Sequence, residues 1–223
     1  VAAWVPGVHI VDQGARSADR IVVRGLNADP ISSSEGLGNS GGGTVATYVG
    51  EIPLYVDLKL NDMERVELLL GPQGTLYGAG TLGGAIRYIP VKPKFDGFGV
   101  QLRQEVYGYS EASKVSFESG ATINIPLGEN LAFRGSVDYL DDSGFIDYVY
   151  TVRQPGVSNP DPDFSDPADV AANLDPAKDA NFEETLSGRA ALRWPPSPLF
   201  DATATYYFQF QDVGASQISS RRS

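Results

Sequence analysis

The sequence predicts a compact α+β unit followed by antiparallel transmembrane strands of a β-barrel. Three observations carry that prediction. Short β-branched segments lie among glycines in the first 94 residues, five long segments of strict alternation follow, and their connections switch between very short and very long.

Composition sets the bounds first. A chain of 223 residues that is 42% hydrophobic has enough apolar material for a core and does not read as disordered. The formal net charge is −11, and a split after Lys94 leaves 8 basic and 9 acidic residues before it and 9 basic and 19 acidic residues beyond. The excess belongs to the second part. It repels phosphate backbones, and no basic stripe with interleaved aromatics is present, so nucleic acid is excluded as a partner. There is no Cys, and His9 is the only His. A zinc hydrolase or Ser-His site would have to rest on one imidazole, and neither a catalytic residue, a metal centre nor a cofactor is expected. No apolar run approaches the ~18 residues of a membrane-spanning helix. The start, Val1-Ala2-Ala3-Trp4-Val5-Pro6, lacks the basic stretch of a signal peptide. A mean hydropathy of −0.17 suits alternating membrane strands.

In the first unit, Ile21-Val22-Val23-Arg24 and Thr44-Val45-Ala46-Thr47-Tyr48-Val49 read as short strands. Residues 58–70 are expected to hold a helical turn that Gly71-Pro72 stops. The glycines at 71, 74, 78, 80, 83 and 84 read as sites of tight turning and close backbone approach.

From residue 98 the period becomes two. Phe98, Val100, Leu102 and Val106 alternate with Gln101, Arg103 and Glu105 within residues 98–110. Val115, Phe117, Ala121, Ile123 and Ile125 do so within 114–125, and Leu131, Phe133, Val137 and Tyr139 within 131–141. Residues 182–194 and 200–211 make the fourth and fifth two-faced strands. Strands of soluble sandwiches usually run about 5 or 6 residues, and these run to about 11 or more. At ~3.3 Å per residue the fourth is about 40 Å long, or ~30 Å of depth at a tilt near 40°. That depth is one bilayer core.

The connections follow the same architecture. Residues 126–130 and 195–199 are short links, whereas the third and fourth strands are separated by a long acidic loop at 141–181, read as extracellular. Residues 141–184 hold 11 acidic side chains against Arg153 and Lys178. Single-chain bacterial barrels have tight periplasmic turns, long outer loops and at least about 8 strands, so five strands are expected to be a fragment of a wall.

A series of motifs in fixed order then carries a family resemblance. Val5-Pro6-Gly7-Val8, Ile21-Val22-Val23-Arg24-Gly25 and Tyr48-Val49 with Ile52-Pro53 are followed by a dense block: Met63-Glu64-Arg65-Val66-Glu67-Leu68-Leu69, Gly71-Pro72-Gln73-Gly74-Thr75-Leu76-Tyr77-Gly78, and Gly83-Gly84-Ala85-Ile86. Residues 1–94 therefore resemble the plug domain of TonB-dependent outer-membrane receptors, and residues 95–223 resemble the first strands of the barrel, about 22-stranded when complete, that such a plug fills. The resemblance implies active, plug-gated uptake across the bacterial outer membrane of a scarce nutrient such as an iron-siderophore chelate, cobalamin or a saccharide. Its partners would be TonB, with ExbB and ExbD indirectly, outer-membrane lipid and the small-molecule ligand. By matching motif positions, the resemblance nominates Asn27, Asp29, Tyr55, Asp57 and Tyr77 as ligand contacts on plug apices. It nominates Arg24, Arg65 and Glu67 as the cluster that locks plug to barrel wall. The chain departs from the family pattern at Gly50-Glu51, Leu70, Arg87 and Pro90, where Asp-Gly, Arg, Asn and Thr are usual.

Enzyme-like motifs are weaker. Gly36-x-Gly38-x-x-Gly41 and Gly78-x-Gly80-x-x-Gly83 do not link a buried strand to a helix, as pyrophosphate binding needs. Gly38-Asn39-Ser40-Gly41-Gly42 lies among small loop-forming residues and not on a strand-to-helix elbow. Asp161-Pro162-Asp163-Phe164-Ser165-Asp166 imitates a calcium loop but lacks its Gly at the sixth place and its Glu at the twelfth. Two other classes remain open at this stage. One is a signalling receptor of the same family, and the other is a soluble β-rich ligand-binding protein that buries Val115, Phe117, Leu131, Phe133, Phe208 and Phe210 under a second layer.

Overall fold

The computed structural model describes residues 6–11, 20–23, 26–27, 45–54, 56, 58–77, 81 and 83–214. They form three sheets. Strands β1 (Val8–Val11), β2 (Arg20–Val23) and β3 (Leu26–Asn27) make a small antiparallel sheet. A second sheet has the order β5-β4-β7-β6, from β4 (Val45–Val49), β5 (Ile52–Pro53), β6 (Met63–Leu70) and β7 (Gly84–Pro90). Only its central pair, β4 and β7, is parallel. One apolar cluster joins the two sheets: Val8, Val23, Val45 and Ile86 are buried, and Val66, Leu68, Leu70 and Tyr88 pack against them. Each fully buried Val or Ile contributes about 1.5–3 kcal/mol, which is how segments this short hold together.

Residues 58–70 do not contain the expected helical turn. Residues 63–70 are strand β6, and the single helical turn, α1 (Gly74–Tyr77), comes after Gly71-Pro72. The period of two was present, since Val66, Leu68 and Leu70 face the core while Arg65 and Glu67 do not; Leu69 blurred it. Of the glycines read as turn positions, Gly71 and Gly84 take positive φ, at 93° and 151°. A Cβ on Gly84 would lie 2.3 Å from the Leu69 carbonyl oxygen, so a side chain here would separate β6 from β7. Gly74 has open space around it.

The third sheet is an antiparallel meander of β8 (Gly99–Tyr107), β9 (Ser116–Gly128), β10 (Leu131–Asp142), β11 (Glu183–Ser197) and β12 (Phe200–Val213). All five expected strands are present, and β9 and β11 run further than alternation suggested, leaving two-residue turns at Glu129-Asn130 and Pro198-Leu199. The ladder shifts register between Trp194 and Ser197, around Pro195 and Pro196, which have no N–H to donate.

Burial on this sheet is inverted relative to a water-soluble protein. Ser116, Thr122, Asn124, Ser136, Asp138, Thr185, Ser187 and Arg189 are buried, while Val100, Leu102, Val106, Val137, Leu192, Tyr206 and Phe210 are exposed. Among the described residues no second layer covers Val115 or Phe210, which are 65% and 69% exposed. The polar face lies against residues 59–62 and 91–94 and the apolar face points outward, which is the division a lipid-facing wall requires.

The segment between β10 and β11 is folded. It carries α2 (Pro167–Asn173), capped by the Asp166 side chain, and two antiparallel bridges, Tyr148 with Ala177 and Val152 with Leu174. The Asn181 side-chain oxygen accepts from the Phe145 and Ile146 amides and pins its base. Asp at the cap followed by Pro in the first turn satisfies a free amide and presets the backbone for the helix. The calcium-like acids are engaged internally: Asp163 accepts from the amide and hydroxyl of Ser165, and Asp169 accepts from the Asp163 amide. The Ser165 bonds hold the Asp163 carboxyl below its ordinary range.

Candidate functional site

The site is the seam between the inner unit and the polar face of the five-stranded sheet. It is built from residues 59–62, just before β6, and 91–94, just after β7. Asp62 has a left-handed backbone, φ 61°, a conformation Asp tolerates better than most residues. Its carboxylate accepts two hydrogen bonds from Arg134 of β10, from Nε at 2.7 Å and Nη2 at 2.6 Å, and a third from Arg189 Nη1 of β11 at 3.1 Å. Arg189 also donates from Nη2 to the Val91 carbonyl at 2.7 Å. The Asp62 and Arg189 side chains are each 4% exposed. One carboxylate between two guanidiniums, out of water, is a contact whose partial removal strands a buried charge.

Further contacts reach every strand from β9 to β12. Lys59 Nζ pairs with Glu118 of β9 at 3.0 Å, and the Lys59 amide donates to Gln209 Oε1 of β12 at 2.8 Å. Asn124 of β9 accepts from the Lys94 amide and donates to the carbonyls of Lys94 and Gly97. Arg193 of β11 donates to the Pro93 carbonyl, forks onto Asp201 with two bonds of 2.9 Å, and lies 5.3 Å from the Phe95 ring centroid. On the wall itself, Arg103 bonds Asp138 at 2.6 Å and Thr122 at 2.8 Å. Gly120 leaves the space for that pair, since a Cβ there would lie 1.9 Å from Asp138 Oδ1.

Of the nominated lock residues, Arg65 and Glu67 are described. Arg65 bonds Glu64 and Glu67, both at 2.7 Å, and Glu67 also accepts from Arg87 at 2.6 Å. These pairs lie within the β6–β7 region, and the Arg65 hydrogen bond holds the Glu67 carboxyl below its ordinary range. Arg87 in addition pairs with Glu51. Two departures from the family pattern are thus each other's partners. Arg24 lies outside the described residues.

Of the nominated ligand contacts, Asp29, Tyr55 and Asp57 lie outside the described residues, and Asn27 ends β3. Tyr77 ends α1, where its carbonyl accepts from the Tyr48 hydroxyl at 2.5 Å. Its ring meets Tyr48 edge-on at 5.0 Å and lies 5.6 Å from the Arg87 guanidinium. Of the five, Asn27 and Tyr77 thus belong to the described residues. Sequence reasoning missed Lys59, Asp62, Asn124, Arg134, Arg189 and Arg193. Their signal was the strand register: three arginines at inward positions of alternating strands need anionic or carbonyl partners from whatever fills the interior.

Among the described residues no group of three or more His, Asp or Glu side chains is arranged to hold a metal ion, and no helix is long and apolar enough to cross a membrane. The latter says nothing about strands.

Residues 1–85 match the family described as TonB-dependent Receptor Plug Domain. The pesticin receptor of Yersinia pestis is 31% identical over 151 residues, 64% of this chain and 20% of that protein. The metal-pseudopaline receptor CntO of Pseudomonas aeruginosa is 35% identical over 89 residues, 39% of this chain and 12% of that protein. The chain thus spans about a fifth or less of the curated relatives it matches. The crystal structure of the ferric yersiniabactin uptake receptor FyuA from Yersinia pestis aligns with a TM-score of 0.58 at 22% identity, over 87% of this chain and 26% of that one. The siderophore receptor PirA from Acinetobacter baumannii aligns with a TM-score of 0.61 at 15% identity, over 95% and 29%. At these identities the two structures speak to the fold alone.

Proposed function

We propose, from the premise that this chain belongs to the TonB-dependent outer-membrane receptors, that the protein takes part in plug-gated active uptake of a metal chelate across the outer membrane. The observation that carries this reading is the seam: a glycine-rich unit held by Asp62 and Lys59 against the polar face of strands whose other face is apolar. A wall sealed from inside transmits nothing until its filling moves, and TonB would supply that movement by strand addition, drawing on ExbB and ExbD. No step in this chain then needs a nucleotide.

The metal-chelate class is supported by a relative named for metal-pseudopaline. We take residue 94 as the boundary between plug and wall. Asn27, Asp29, Tyr55, Asp57 and Tyr77 are kept as proposed ligand contacts, and Arg24, Arg65 and Glu67 as a proposed second lock toward strands beyond β12. The acidic segment between β10 and β11 disfavours polyanionic chelates. The test uses the full receptor in a strain stripped of its own chelate receptors, supplied with isotope-labelled ferric chelates of different charge. Accumulation that requires TonB supports the reading, and receptor-dependent accumulation that persists without TonB overturns it.

A further inference from the structure

A second feature of the seam lies beside the Asp62 contact. Asn61 of the plug faces Ser136, Asp138, Ser187, Arg189 and Tyr207 of the wall across a small cavity, with about 10 Å³ open to the centre of a water-sized sphere. That is room for about one water molecule. Four buried atoms on residues that line it have no hydrogen-bond partner among the described residues: Asn61 Nδ2, Asp138 Oδ2, Ser187 Oγ and Arg189 Nε. Asp138, Ser187 and Arg189 are 2%, 3% and 4% exposed. Unpaired atoms this deep are costly, and four around one cavity point to a shared partner.

The chemistry of the four atoms selects that partner. Asn61 Nδ2 and Arg189 Nε only donate, Asp138 Oδ2 only accepts, and Ser187 Oγ does either. A bound cation would face a guanidinium and an amide N–H, and a bound anion would face a carboxylate. A molecule that accepts twice and donates twice satisfies all four. We propose that a single water is an integral part of this seam, held by Asn61 from the plug and by Asp138, Ser187 and Arg189 from the wall.

The position of the water gives it a role. Asp138 is paired with Arg103 through its other oxygen, and Arg189 is paired with Asp62 through Nη1 and with the Val91 carbonyl through Nη2. The water therefore joins the ion pair of the wall to the lock of the plug, and Asn61 is the plug side chain that holds it. When the plug moves, this contact exchanges one water for another and leaves no charge bare. The Asp62 contact has no such substitute.

A structure of the complete receptor at a resolution that shows ordered solvent tests the site. The expected result is a water within about 3.2 Å of Arg189 Nε, Asp138 Oδ2 and at least one of the other two atoms. A dry cavity, direct pairing among the four, or a side chain from another strand in that place overturns the proposal. Two variants of the complete receptor provide a second measurement by amide exchange across Met63–Leu70. Asn61→Leu, which fills the space with an apolar group, is expected to accelerate exchange about tenfold, whereas Asn61→Ser, which leaves room for a second water, stays within about threefold of the parent. If side-chain volume alone mattered, Ser would be the more damaging change, and that order of effects overturns the proposal. Should Asn61→Leu fail to assemble, the solvent structure of the parent decides alone.

Discussion

Asp62 and Arg134 stand 72 residues apart in the chain and meet as a fork on a carboxylate, through parallel hydrogen bonds of 2.7 and 2.6 Å. With Arg189 on the next strand they place the anion on the plug and the cations on the wall. The Lys59–Glu118 pair beside it has the opposite sense. A plug fastened by charges of both signs is keyed: sliding the wall past residues 59–62 would separate both kinds of pair.

Removing the carboxylate charge alone should be expensive. Asp62→Asn leaves Arg134 and Arg189 buried without a counter-charge and is expected to cost about 3–5 kcal/mol. Replacing all three residues with apolar ones of similar volume is expected to cost less than that single change. Urea titration of the full receptor, followed by proteolysis of the plug, measures both; a single variant no worse than the triple would contradict this account of the lock.

The Arg65–Glu67–Arg87 cluster should show in acid. Because Arg65 holds the Glu67 carboxyl below its ordinary range, Glu67 favours folding fully above the unfolded pKa of about 4.3. That contribution is lost as pH falls toward and through the lower folded value. Between the two, the unfolded chain binds more protons, so stability rises with pH. Glu67→Gln is expected to flatten this acid limb in pH-dependent amide exchange of the plug.

Two glycines of one motif should behave differently. Gly84→Ala meets a backbone oxygen at 2.3 Å in a left-handed conformation and is expected to destabilise the β6–β7 pair by about 1–3 kcal/mol. Gly74→Ala, in open space within α1, should be neutral or slightly stabilising. Limited trypsin digestion of the two variants compares them directly.

The lipid face makes the fourth prediction. Val137 lies near the middle of β10, points outward and is 44% exposed. Val137→Arg is expected to cost about 2–4 kcal/mol of stability in a bilayer. Folding titrations of the full receptor into vesicles measure it, and an unchanged midpoint would remove Val137 from the hydrocarbon.

Much of this architecture is legible in the amino-acid sequence. Period-two alternation marks a surface divided between two environments, and the five wall strands appeared where that period did. The helical turn expected in residues 58–70 failed because Leu68-Leu69-Leu70 masks alternation within a run too short for period to decide. The lock was less legible. Arg65 and Glu67 stand in a strong motif, yet the described partners of both lie within the plug. Asp62, just outside that motif, makes the wall contact, because its left-handed turn aims the carboxylate across the seam. Which of two neighbouring acids crosses an interface depends on backbone direction, which composition and spacing do not encode.

The pairing of Glu51 with Arg87 bears on receptor engineering. Plug segments are natural units to graft between related receptors, and a graft cut anywhere from 52 to 86 would separate these two residues. The recipient would inherit an arginine facing the usual Asp-Gly turn, or a glutamate facing Asn. Cut points that keep both residues in the same parental piece avoid that mismatch, so the join belongs before 51 or after 87.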